Sequence, residues 1–395
     1  MEVAQRLKSI PPYVFMELDQ KVQAVAARGI DVINLGRGDP DQPTPAHVVE
    51  AMRQAVLDPV NHHYPPSGGL KEFKEAAAQW CEKRYRVKLD PVNEVTSLIG
   101  GKEGLHHTIM AFVDQGNYNL IPDPAYPVYQ TSTILAGGIP HYLPLTPENN
   151  FLPDLESIPA AVLNKATLLM LNYPNNPTAA VADLGFFEKV IHFAKKNNLL
   201  FCHDLSYPDM TFDGYKAPSV LEIPSAKEVT IELHTLSKSF NMTGWRIGFA
   251  TGNTQAVKAL AKLKSNVDTD VFRAIQKAAI AALNGPLDHI DHCNKLYIER
   301  RDLAMQALGE LGWHIKPSKA TFYLWLRVPP GFTSWDFSFA VLEKTGVLVT
   351  PGPAYGPGGE GFFRIALCLP KERLQEAFER LKQHAITFDM AKTKV

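Results

Sequence analysis

Between Val95 and Ala250, short apolar runs alternate with stretches of helical periodicity. The runs are Val95 to Ile99, Tyr118 to Ile121, His141 to Leu145, Thr167 to Leu171, Leu199 to His203 and Val229 to Leu233; helices are predicted over Glu103 to Asp114, Val128 to Ala136 and Leu184 to Lys195. Runs without a polar face, separated by helices, fit a mostly parallel sheet covered on both sides, an α/β architecture. Such a sheet collects its ligand-binding loops at the carboxyl ends of the strands.

The unusual polar residues of this chain fall at those ends. After Val229 to Leu233 comes Thr235-Leu-Ser237-Lys238-Ser, and after a loop with Gly244 a second apolar run begins at Arg246. Two hydroxyls, an arginine and backbone N–H groups around one lysine make a phosphate-sized site with an amine inside it. That amine can form a Schiff base with an aldehyde, so pyridoxal phosphate fits both halves. Gly100-Gly101-Lys102-Glu103-Gly104 follows another strand and opens a helix, where free N–H groups and the helix dipole suit a phosphate. Asn172-Tyr-Pro-Asn-Asn176-Pro-Thr-Ala179 sets two proline turns, Tyr173-Pro174 and Asn176-Pro177, directly after a buried strand. Asp204, in His203-Asp-Leu-Ser-Tyr207, either caps the next helix or places a carboxylate beside a cofactor ring nitrogen, keeping it protonated. Arg364 interrupts an apolar strand, which is costly unless the guanidinium is paired, and its fork suits a carboxylate.

The string from Thr235 to Gly248, T-L-S-K-S-F-N-M-T-G-W-R-I-G, resembles the lysine-to-arginine signature of class I/II, fold-type I aminotransferases. Six motifs in that family's order span nearly the whole chain. The resemblance implies a large domain over 36–285 with a mostly parallel, seven-stranded sheet between helices, a small α+β domain over 286–395, and an N-terminal segment, 1–35, that joins the small domain. It implies that Lys238 carries pyridoxal phosphate as a Schiff base and moves the substrate proton, while Thr235, Ser237 and Arg246 hold the phosphate. Tyr126, in Asp123-Pro-Ala-Tyr126-Pro, would stack on the pyridine ring, Asn176 and Tyr207 would hydrogen-bond its phenolic oxygen, and Arg364 would grip the substrate α-carboxylate. Gly38, in the Gly36 to Pro45 loop, would admit close approach of the backbone to substrate. Tyr64 would reach the cofactor phosphate of a partner subunit, which implies a homodimer with shared sites. One departure stands out: the family's Ser or Thr in the phosphate loop is replaced by Gly101 and Lys102, so backbone amides and an ammonium must serve.

The finer branch, signalled by Pro-Pro-Tyr near the start, K-E-G-L, N-P-T-A, H-D-L-S-Y and D-G-Y-K-A-P-S, is similar to LL-diaminopimelate and alanine aminotransferases. No second arginine is singled out for a distal carboxylate, which favours either a minimal side chain or a zwitterionic end. LL-diaminopimelate with 2-oxoglutarate as acceptor is the expected pair, with alanine transamination or C–S lysis on the same fold as alternatives.

Composition bounds the rest. At 395 residues and net charge −1 the chain is long enough for two cores and lacks the basic excess of nucleic-acid or anionic-membrane binders. A regulator with a DNA-binding extension has no room before the Gly36 loop. Four scattered cysteines without C-x-x-C spacing read as reduced thiols, and no signal peptide or membrane-length apolar run is evident, so a soluble cytoplasmic protein is expected. No metal is expected: His62 and His63 have no partners at ligand spacing, and Asp288 to His292 reads as a solvated helix face.

Overall fold

The computed structural model describes residues 1–11 and 14–390. Pro12 and Tyr13, the second and third residues of the Pro-Pro-Tyr segment, lie outside the described residues. Helices of eight or more residues are α1 (Val14–Ala26), α2 (Ala46–Leu57), α3 (Lys71–Tyr85), α4 (Gly101–Phe112), α5 (Val128–Leu135), α6 (Leu184–Lys196), α7 (Thr254–Val267), α8 (Arg273–Asn284), α9 (Asp288–Glu310), α10 (Ser334–Thr345) and α11 (Lys371–Gln383). Three of them begin at a side-chain N-cap. Asp183 accepts from the Phe186 N–H at the start of α6, Asn253 from Gln255 and Ala256 before α7, and Thr333 from Asp336 before α10. Among the described residues no helix is long and apolar enough to cross a membrane.

The alternating runs form one seven-stranded sheet of β1 (Val95–Leu98), β2 (Tyr118–Asp123), β3 (Ile139–Pro144), β4 (Ala166–Asn172), β5 (Leu200–Leu205), β6 (Thr230–Thr235) and β7 (Gly248–Gly252). Its order is β1-β7-β6-β5-β4-β2-β3, parallel throughout except β7, which runs antiparallel to both neighbours. Central strands β5 and β6 are almost wholly buried, as their lack of a polar face requires. One face packs Leu98, Leu168, Met170 and Leu233 under α4, α5 and α7; the other packs Leu169, Leu171 and Phe201 under α3, α6 and α8. The order 6-5-4 within the sheet sets the carboxyl ends of β4, β5 and β6 side by side, with Asn172 paired to Asp204 and Asp204 to Leu233.

A second sheet follows late in the chain: β8 (Tyr323–Arg327), β9 (Thr350–Pro351) and β10 (Phe362–Ala366), with β10 central and antiparallel to both. Residues near the amino end meet this part of the chain directly. Ile33 and Asn34 pair in parallel with Val347 and Leu348, and Leu18 and Val25 of α1 pack on Leu342 and Leu348.

Three local expectations need correction. Lys238 lies not in an open turn between strands but on a one-turn helix, Leu236–Ser239, whose N-cap Thr235 accepts from the Ser237 N–H. The second run starts at Gly248 rather than Arg246, because Arg246 has φ +56°, a left-handed conformation that ends any strand. His289 is not on a solvated face: its Nε2 lies 3.0 Å from the Ser239 carbonyl, against the helix that bears Lys238. The glycine-rich loop from Pro351 to Gly359 is tied to the end of β2, where the Gly358 N–H donates to both Asp123 carboxylate oxygens at 2.9 Å.

Candidate active site

The carboxyl ends of β4, β5 and β6, the start of α4 and the loop after Asn34 enclose a cavity of about 680 Å³, closed on its far side by β8, β10 and Tyr355. Lys238 stands in it. Its Nζ donates to the Gly38 carbonyl at 2.7 Å and sits 5.6 Å from the Phe322 ring centre. Removal from water disfavours the ammonium, and burial pulls the Lys238 pKa down to about 8. A lysine so tuned is a nucleophilic amine near neutrality.

On one side of Lys238 the donors form an anion cup. The first-turn N–H groups of α4 have no acceptor within the helix. Gly101 faces the Thr235 and Ser206 side chains, and a Cβ on it would lie in ordinary contact with them at 3.6 and 3.7 Å. Thr235 Oγ1 donates to Ser237 Oγ at 2.9 Å. Arg246 is held by the Thr243 carbonyl at 3.0 Å and the Ile99 carbonyl at 3.4 Å. Gly100 is required here: its φ is +77°, and a Cβ would stand 2.4 Å from Arg246 Nη2. This donor set, with helix N–H groups, two hydroxyls, Lys102 and a guanidinium, fits a phosphate dianion.

Behind the cup, Asp204 is buried. Tyr129 donates to its Oδ2 at 2.7 Å and Ser206 to its Oδ1. Burial pushes the Asp204 carboxyl above the usual carboxylate range, and the hydroxyls of Ser206 and Tyr129 pull against it. A cationic ring nitrogen facing it would be a natural counter-ion. Tyr126 lines the same wall, edge-on to Tyr129 with ring centres 6.4 Å apart.

Opposite the cup lies Arg364, 3% exposed. Its Nη1 donates to Asn176 Oδ1 at 2.7 Å and its Nη2 to the Gly36 carbonyl at 2.6 Å. The guanidinium carbon lies 4.1 Å from the Tyr323 ring centre and 4.7 Å from that of Tyr355, so two aromatic faces sandwich it. Tyr207 Oη meets Tyr323 Oη at 3.1 Å. Gly38 lies so close to Tyr323 that a Cβ would sit 2.1 Å from its hydroxyl. The Gly38 carbonyl accepts from Lys238.

Of the residues singled out by sequence, Gly38, Gly101, Lys102, Tyr126, Asn176, Asp204, Tyr207, Thr235, Ser237, Lys238, Arg246 and Arg364 all line this cavity. Tyr64 does not. It is 79% exposed on the protein surface, where its carbonyl accepts from Arg273. Sequence reasoning missed Tyr129, Ser206 and Tyr323. Tyr129 stands just past one quoted motif and Ser206 inside another, and Tyr323 is hidden in an apolar run whose alternation gives no hint of a polar tip facing the cavity.

Residues 30–381 match the model of the aminotransferase class I and II family. The chain belongs to the class I and II aminotransferases. It is therefore a pyridoxal-phosphate-dependent transaminase, and the donor set described above fits that cofactor. It is 54% identical over 98% of its length to the whole of LL-diaminopimelate aminotransferase 2 from Trichormus variabilis. LL-diaminopimelate aminotransferase from Moorella thermoacetica is 51% identical, covering 97% of this chain and 98% of that protein. Among solved structures, substrate-bound BacF from Bacillus subtilis superposes with a TM-score of 0.94 at 40% identity, over 99% of this chain and all of that one.

The tuned lysine has a measurable consequence for this aminotransferase. Only the neutral amine captures an aldehyde, so the rate at which cofactor-free protein takes up pyridoxal phosphate should rise with pH and level off above about 8. Stopped-flow absorbance measures it. An inflection near the ordinary lysine value would show that Lys238 is solvated.

Proposed function

We propose that this aminotransferase moves the amino group of LL-diaminopimelate to 2-oxoglutarate in two half-reactions at one site, in a homodimer. One observation carries the donor assignment: relatives named for LL-diaminopimelate share half or more of their residues with this chain along nearly their full length. Bound in the cavity, pyridoxal phosphate supplies a ring that accepts the electrons left when the substrate loses its α-proton.

The side chains then have distinct tasks. Arg246, Thr235, Ser237, Lys102 and the N–H groups at Gly101 hold the phosphate, and Tyr126 covers the ring face. Asp204, held by Tyr129 and Ser206, keeps a proton on the ring nitrogen. Asn176 spends its Oδ1 on Arg364, so its amide N–H remains to donate to the phenolic oxygen, beside Tyr207. Arg364 binds the substrate α-carboxylate as a planar fork, and its fixed rings prevent the guanidinium from turning away. With its pKa of about 8, Lys238 as a neutral amine takes the proton from the substrate Cα. The Gly38 carbonyl, 2.7 Å from Nζ, orients that amine.

The proposed dimer rests on a surface. Val56, Leu57, Val60 and Tyr64 are exposed together on α2 and the turn that follows it, an apolar cluster suited to a second copy. Tyr64 of each protomer then completes its neighbour's phosphate site. Mixing Tyr64→Phe chains with Lys238→Ala chains places both lesions in one site of each heterodimer and leaves the other intact. Activity above both parents is expected; no gain on mixing means that Tyr64 serves no neighbouring site.

Initial rates with several donors test the substrate. LL-diaminopimelate should be turned over with alanine at least about 10⁴-fold poorer, since a site that pairs distal polar groups leaves them unsatisfied with a methyl. Fast turnover of alanine without LL-diaminopimelate would overturn the assignment, and release of pyruvate and ammonia from cystathionine would point to C–S lysis.

A further inference from the structure

We propose that Asp19 and Arg37 form the subsite that reads the distal end of the substrate, the carboxylate of Asp19 meeting its ammonium and the guanidinium of Arg37 its carboxylate. This rests on the reading of LL-diaminopimelate as donor. That molecule carries a second zwitterion at the far end of its chain, so the cavity must offer one charge of each sign beyond those used near the cofactor.

The cavity is lined by five cations and two carboxylates. Lys238 is the central amine, Arg246 and Lys102 stand at the phosphate cup, and Arg364 is buried against Asn176 and Gly36. The Asp204 carboxylate is buried and receives two hydroxyls. What remains is one guanidinium and one carboxylate, Arg37 and Asp19. They come from different elements, Asp19 from α1 and Arg37 from the loop after Asn34, so they can flank a chain that emerges between them.

Their bonding capacity is unspent. Neither side chain makes a hydrogen bond among the described residues. Arg37 has one charged neighbour, Asp39, at 3.6 Å, longer than a hydrogen bond, and its side chain is 78% exposed. Asp19 is likewise exposed beside buried Leu18, which packs α1 into place and so fixes where the carboxylate stands. A charged pair of this kind adds selectivity because a ligand with both matching groups gains charge-assisted hydrogen bonds that a ligand lacking either does not.

The test uses the holoenzyme with three donors: LL-diaminopimelate, L-lysine, which lacks the distal carboxylate, and L-2-aminopimelate, which lacks the distal ammonium. Arg37→Gln should raise KM for LL-diaminopimelate about tenfold with kcat nearly unchanged, and should erase its preference over lysine. Asp19→Asn should do the same against 2-aminopimelate. Equal weakening of all three donors, or an unchanged KM for LL-diaminopimelate in both variants, overturns the subsite. Failure of the unsubstituted enzyme to turn over LL-diaminopimelate overturns the donor assignment itself, and with it the subsite, before any variant is made.

Discussion

Lys238→Ala should lose transamination by about 10⁴-fold or more while the protein stays folded, because the substitution removes both the amine that captures the cofactor and the base at the substrate Cα. The fold has little at stake: the ammonium makes one hydrogen bond, to the Gly38 carbonyl, and stands over one ring. Thermal melting should therefore shift by a few degrees at most. Single-turnover absorbance with LL-diaminopimelate separates the two roles. Added methylamine should restore part of the rate, as a small amine can occupy the emptied space and move the proton. A near-normal rate in the variant would place the base elsewhere.

The second large effect is expected at Asp204. Asp204→Asn is nearly isosteric and keeps partners for Tyr129 and Ser206, so the buried wall survives. What goes is the negative charge proposed to hold a proton on the ring nitrogen. Without it the ring is a poorer electron acceptor, and α-proton removal should slow by about 10³-fold, with cofactor affinity falling less. A cofactor methylated at the ring nitrogen carries a permanent charge and should recover much of the lost rate in Asp204→Asn. Equal activity of the two enzymes with the ordinary cofactor would remove Asp204 from the chemistry.

Much of this site was legible in the sequence because its residues cluster in short strings at strand ends. Lys238, Asp204 and Asn176 each follow an apolar run, and a parallel sheet brings such ends together whatever the loops do. Arg364 was legible for a different reason, as a charge on a strand that is otherwise apolar. Harder to read was anything carried by long-range packing. The Tyr323 and Tyr355 rings that sandwich Arg364 come from residues forty-one before it and nine before it in sequence, on β8 and the glycine-rich loop. Tyr129 reads as one more apolar residue of α5 until the fold sets its hydroxyl against Asp204. The one-turn helix at Lys238 was also hidden, since four residues are too few for periodicity to show.

Buried polar groups outside the cavity link the elements that carry its lining. Glu232 is 0% exposed, yet it contacts His203 Nδ1 at 2.9 Å and His234 Nε2 at 3.0 Å and accepts from Ser219 Oγ at 2.6 Å. His203 precedes Asp204 and His234 precedes Thr235, so this network ties β5 to β6 one residue behind two side chains that line the cavity. On the other flank, Arg300 clamps Asp41 through two 2.7 Å bonds and reaches the Leu367 carbonyl at 3.0 Å, which fixes the Gly36 to Pro45 loop against the strand of Arg364.

The central claim is that the amine at the heart of the cavity is Lys238, and reductive trapping tests it most directly. The purified holoenzyme is treated with borohydride, digested, and its peptides are weighed. The pyridoxyl mass should appear on the peptide that contains Lys238 and on no other. A label on Lys102, on Lys264 or on any lysine outside the cavity would contradict the assignment.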